Sequence, residues 1–137
     1  SAREQKAEIA GSIGEGTAIK FVEHRKIASN LPNPSDIIAG SVSKLDSKIQ
    51  SEISAKYTLV VSLAYELNDI YKNGDDKEFK SAINNVVRFS FDNFEPEMVV
   101  FMFRTILKDY KIAFNLRTTL DKDLQKTFQD RYVKYIA

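Results

Sequence analysis

Hydrophobic positions step by three and four along most of this 137-residue chain, the spacing of helices that bury one face. Ile53, Tyr57, Val60, Val61, Ala64, Leu67 and Tyr71 form one such stripe, about five turns long, which predicts a helix facing a core. Asn73-Gly74 ends it. Asp75 opens the next helix with Glu78 three residues on, a variant capping box in which Asp replaces Ser or Thr. Phe79, Ala82, Ile83, Val86 and Val87 make its stripe. DNFEP, residues 92–96, precedes a third stripe of Val99, Phe103, Ile106, Leu107, Tyr110 and Phe114. Pro96 suits a first helical position, and Glu95 and Glu97 suit the positive end of a helix dipole. MVVFMF, residues 98–103, is apolar enough for a buried strand, but Pro96 before it and the periodicity beyond it predict a helix. Asp121 is the expected cap of a last helix, with Leu124, Phe128, Tyr132 and Ile136 at four-residue steps.

The earlier part is more punctuated. Residues 2–10 predict a thinly apolar helix that Gly11 ends. GSIGEG, residues 11–16, reads as a turn, and residues 17–30 as a second helix with Ala18, Phe21, Val22 and Ala28 near one face. LPNPS, residues 31–35, stops it, because each Pro disfavours helical backbone in the residue before it. Ser35 is the expected cap of a short turn, 36–39, closed by Gly40. Residues 41–51 are polar and weakly periodic, so a loop and a poor helix both remain open. No strand, internal repeat or low-complexity tract stands out. The expectation is an all-α fold, an irregular bundle of about five to seven helices in a single domain spanning 1–137.

Composition narrows the chemistry. There is no Cys, which excludes disulfides, Cys-ligated metals and thiol nucleophiles. The single His24 has Lys20 and Ala28 at helical spacing and no Ser, so it reads as a surface or half-buried side chain. Phe21 stands three residues before it, so the Glu-x-x-His of di-metal bundles is missing. Gly11, Gly14 and Gly16 do not spell a phosphate-binding loop. The acidic groups at 75–78 and 95–97 read as helix caps rather than as a catalytic pair. No metal, cofactor or catalytic group is expected in this chain. The longest apolar run, residues 98–103, is far short of the roughly 20 residues of a membrane span, and the charged first ten residues have no apolar signal core. The reading is a soluble, cytoplasmic domain with no membrane partner.

Charge adds one distinction. With 20 Lys+Arg against 19 Asp+Glu the net charge is +1, which argues against a dedicated nucleic-acid binder. Yet residues 104–137 hold eight basic and four acidic side chains. Arg104, Lys108 and Lys111 are spaced to line one helix face, and Lys122 and Lys126 another. A solvated face is one reading; a surface for an acidic protein or a nucleic-acid backbone is the other. Tyr132, expected to be partly exposed, completes this candidate interface. A stand-alone interaction module would instead present the stripe Leu120, Leu124, Phe128, Tyr132 and Ile136.

The order GSIGEG…F…LPNP resembles the segment after the sensor region in MoxR-like AAA+ ATPases. Gly11, Gly14, Glu15, Ala18 and Phe21 fill the first part of that pattern, and Leu31, Pro32, Pro34, Ile37 and Ile38 the second. Residues 52–67 look like the helix that follows there. The likeness covers residues 1–71, with 72–137 as a helical continuation. It implies the C-terminal helical lid of a ring-forming ATPase, coupling nucleotide state to subunit or partner contacts. ATP and magnesium would then belong to the parent protein. The partners would be the AAA+ core of the same polypeptide and neighbouring ring subunits. This chain carries no Walker A lysine loop, so on its own it is expected to have no ATPase activity.

Overall fold

The computed structural model describes residues 31–106, 116–132 and 134. Every regular element among them is helical: α1 (Pro34–Ile38), α2 (Ser47–Gln50), α3 (Ile53–Asn73), α4 (Asp76–Asn93), α5 (Pro96–Arg104), α6 (Leu116–Thr119) and α7 (Lys122–Thr127). A π-helical turn over Phe128–Tyr132 continues α7. The fold is an all-α bundle. The helices expected over 2–10 and 17–30, with Gly11, Gly14, Glu15, Ala18, Phe21 and His24, lie outside the described residues, as do Lys108 and Lys111. No helix among the described residues is long and apolar enough to cross a membrane.

α3 runs 21 residues without Gly or Pro. It packs against α1, α2, α4 and α5. Contact on several sides explains why its buried surface is wider than one stripe: every residue from 58 to 64 is buried. The stripe's two ends behave differently. Ile53 is 67% exposed and Tyr71 42%, because both stand beyond the layers that cover the middle of the helix. Gly74 stops α3 by close approach. A Cβ there would lie 2.8 Å from the Ile70 carbonyl oxygen, whose partner is the Gly74 N–H.

Two-residue connections join α3 to α4 and α4 to α5, so the chain reverses twice. At the first, Asp75 caps α4 as expected, its carboxylate accepting the Glu78 N–H at 2.7 Å. At the second, Pro96 occupies the first turn of α5, and Phe94 packs edge-on against Phe89. Phe79, Ala82, Ile83, Val86 and Val87 are all buried. Val99, Phe103 and Ile106 are fully covered, so the apolar run at 98–103 is a buried helix. Phe103 is the largest side chain at the centre, and truncation to Ala would cost about 3–5 kcal/mol.

The short elements differ in detail from expectation. The cap of α1 is Asn33, not Ser35; its side-chain oxygen accepts the Ser35 N–H at 3.0 Å. Pro34 takes the first helical position, where a missing N–H costs nothing. Residues 47–50 do form a turn of helix, because Asp46 accepts the Ile49 N–H at 2.9 Å and Ile49 is 1% exposed. In the last segment Leu120, Leu124, Phe128 and Tyr132 are all buried. Steps of four overshoot an α-turn of 3.6 residues. The wider π turn at Phe128–Tyr132 offsets that drift, so Phe128 meets Phe103 at 4.9 Å and Tyr132 stacks on Phe91 at 4.7 Å.

Candidate functional site

α4 carries a set of polar side chains that fasten the segments around it. Asn85 donates to the Ile38 carbonyl at 2.7 Å. Asn93 donates to the Ser43 carbonyl at 3.0 Å and accepts the Leu45 N–H at 3.0 Å. Asn84 donates to the Lys80 and Thr119 carbonyls, both at 2.8 Å, and accepts the Asp121 N–H. Each amide thereby satisfies backbone groups at a helix end or in a loop, which lack partners within their own helix. Arg88 extends the row, donating to Asp123 at 2.7 Å and Asp121 at 3.2 Å. The hydrogen bond from Arg88 is the main cause that holds the Asp123 carboxyl below the usual carboxylate range. Asp121 stands at the N-cap of α7 but makes no cap bond, because its carboxylate turns to Arg88 instead. The three asparagines of this row are engaged with neighbouring backbone, and Arg88 is engaged in an exposed ion pair with Asp121 and Asp123.

The groups that face outward converge elsewhere. Where the α2–α3 junction meets the α4–α5 turn there is a cleft of about 380 Å³. Gln50 and Ser51 form one wall, held by bonds to the Leu45 and Lys48 carbonyls. Ile53, Lys56 and Tyr57 come from the first two turns of α3, and Glu95, Glu97 and Met98 from the start of α5. The Tyr57 ring is fixed edge-on to Phe101 at 4.7 Å. Glu95 sits at the N-cap position yet makes no side-chain cap bond, which departs from the capping role expected of it and leaves its carboxylate at the cleft. Ile53 stands at the mouth with two-thirds of its surface in solvent. Lys56 is the opposite case, lining the cleft while only 6% exposed.

This arrangement offers an apolar edge, one ammonium and two carboxylates. No hydrogen bond among the described residues joins Lys56 to either glutamate, so no acid–base pair is assembled. Among the described residues no cluster of three metal-ligating side chains forms. A second hollow, about 470 Å³, lies beside α1 and the α3–α4 turn, lined by Ile38, Ile70 and Ala82 with polar groups at its rim.

The residues singled out from sequence fall into three groups. Arg104, Lys122 and Lys126 are exposed, the last two a turn apart on α7. Asp121 and Asp123 flank Lys122, so this part of the surface is mixed in sign. Tyr132 is not an interface residue of the expected kind: at 4% exposed and stacked on Phe91 it belongs to the core. The stripe from Leu120 to Tyr132 is buried with it, so it is no exposed patch. Of the LPNP residues, Pro34 is buried and Pro32 half-buried. Sequence reasoning missed Lys56, although it stands three residues after Ile53 and four before Val60, on the stripe itself. It also missed the asparagines of α4, whose poor helix propensity in mid-helix was a visible signal. No family model, no curated protein and no solved structure matches this chain.

Proposed function

We propose that this chain is a non-catalytic helical binding domain that docks a short segment of another protein in the cleft between α3 and α5. The observation that carries this reading is Ile53, a large aliphatic side chain 67% exposed at the mouth of a cleft of about 380 Å³. A large apolar side chain left in solvent beside a concave surface is a candidate anchor for such a contact. The cleft is near the lower limit of ligand pockets, about 300 Å³, which suits a few side chains rather than a folded domain. Panning a random peptide library on the intact chain tests it. Peptides that bind the chain and lose binding with Ile53→Ser support the reading. A library that yields no binder, or binders indifferent to Ile53→Ser, refutes it.

A second reading keeps the domain as the lid of a MoxR-like AAA+ ATPase, acting with its own AAA+ core and neighbouring ring subunits. It is favoured by the segment from Leu31 to Ile38, where Pro34 and Ile37 pack into the core and Leu31 and Ile38 lie against it. The parent reading frame decides this. An upstream GxxxxGK[ST] is required, and an open frame without one ends the idea.

A further inference from the structure

α3 is covered on two opposite faces, and only one of them belongs to the core. Leu59, Val60, Leu63, Ala64 and Leu67 pack into the central cluster. Thr58, Val61, Ser62, Tyr65 and Asn68 step by three and four along the other side. Thr58, Val61 and Ser62 are buried there, Val61 with 1% of its surface exposed, and Tyr65 is half-buried. Yet neither Val61 nor Tyr65 is part of the central cluster. The Thr58 hydroxyl turns back to the Ser54 carbonyl at 3.0 Å. The Asn68 side-chain oxygen is buried and has no hydrogen-bond partner among the described residues. A valine so covered needs atoms packed over it, and a buried amide oxygen needs a donor.

We propose that this outer face of α3 is the docking surface for residues 17–30 of the same chain, with Phe21 over Val61 and Arg25 donating to the Asn68 oxygen. That segment leads directly into Leu31, which lies against the core, and into α1, which packs on α3. The hollow shared by Ser35, Ile38 and Ile70 places α1 near the C-terminal end of α3, so the segment would run parallel to α3 and end beside it. As a helix it would be about 21 Å long, enough to overlie the row from Thr58 to Asn68, about 15 Å. Helical spacing puts Ala18, Phe21, Val22, Arg25 and Ala28 on one face. The apolar members suit Val61, and Arg25, one turn on from Phe21, is the donor that Asn68 lacks. Residues 107–115 suit this surface less well. Their Leu107, Tyr110 and Phe114 continue the stripe of Val99, Phe103 and Ile106, and those three belong to the central cluster. Docking here is separate from the cleft between α3 and α5, and stands whether or not that cleft binds a peptide.

The chain has no cysteine, so engineered pairs report proximity without background. Ser62→Cys is combined in turn with a cysteine at each position from 17 to 30, and the full chain is oxidised with copper phenanthroline. A disulfide requires Cα atoms within about 7 Å, so links to Phe21→Cys or Val22→Cys should exceed those to Lys20→Cys, Glu23→Cys or Ile27→Cys by about tenfold. With Thr58→Cys as the anchor the favoured partner should move one turn back, to Ala18→Cys. With Tyr65→Cys it should move forward, to Arg25→Cys. Three anchors keep the test decisive where one of them does not fold. A yield that is flat across 17–30, or a register that does not shift with the anchor, overturns the proposal. So does linkage to cysteines placed at 107–115, which would make that segment the cover. Disulfide-linked dimers in place of internal links would assign the face to a second copy and overturn it as well.

Discussion

Asn84 and Asp121 meet across 37 residues of sequence, the side-chain oxygen of Asn84 accepting the Asp121 backbone N–H at 2.6 Å. The same amide donates to the Thr119 carbonyl, so one side chain on α4 replaces two of the backbone partners that the turn before α7 lacks. Asn84 is only 6% exposed, and solvent cannot easily take over. Asn84→Leu keeps the branched shape, with a somewhat larger side chain, and removes both bonds. It should cost about 1–2 kcal/mol, because two hydrogen bonds in a part-buried turn are lost. Urea denaturation measures this, and a loss below about 0.5 kcal/mol would show that water satisfies the turn.

Gly40 should resist substitution for a reason of backbone geometry. Its φ is +78°, a region disfavoured for L-residues with a Cβ. An added Cβ would also lie 3.2 Å from the Asn85 side-chain nitrogen, which is occupied with the Ile38 carbonyl. Gly40→Ala is expected to lower stability by about 1–2 kcal/mol. Gly40→Asn should cost less, since Asn tolerates this conformation better. Equal losses in thermal melts would shift the blame to the contact with Asn85.

Ser62 gives a prediction of opposite sign. It is 0% exposed, and its hydroxyl oxygen has no hydrogen-bond partner among the described residues. Removing an unsatisfied buried hydroxyl at little change in volume should be favourable. Ser62→Ala is expected to raise stability by about 1 kcal/mol. A loss of similar size in chemical denaturation would mean that the hydroxyl is bonded after all.

Tyr132 links stability to alkaline pH. Burial is the main cause that pushes its phenol above the ordinary value, with Asp92 adding to the shift and Arg131 opposing it. The unfolded chain therefore loses this proton first. Below about pH 9 both states hold it and the group contributes no pH dependence. Above about pH 10 the unfolded state binds fewer protons, and stability falls as pH rises. Tyr132→Phe should flatten that fall when melts are compared between pH 8 and 11, the range spanning the ordinary phenol pKa of about 10. Parallel curves for the two proteins would show that other groups carry the effect.

The helices of the middle of the chain were legible because their causes are local. The stripe from Phe79 to Val87, the Asp75 cap and Pro96 at the start of α5 each act within a turn or two. The exposed state of Ile53 was not legible, since it depends on which neighbours reach the first turn of α3. Tyr132 misled for a related reason. A tyrosine beside charged residues looks amphipathic in sequence, but Phe91, some forty residues earlier, supplies the ring it stacks on. The asparagines of α4 stood out as poor helix formers, but the segments they fasten did not, because those partners lie 35 to 50 residues away. The cleft depends on two such distant segments meeting, and only the mutual placement of Lys56 and Glu95 reveals it.

The row of amides on α4 also makes two remote connections report on one helix. The Leu45 N–H and the Asp121 N–H lie in different loops, yet both end on asparagines of α4. Neither can exchange its hydrogen with deuterated solvent while that bond holds. If each loop peels away alone, the two amides exchange at unrelated rates. If α4 unravels as a unit, they exchange together, so a single helix would keep time for both sides of the molecule.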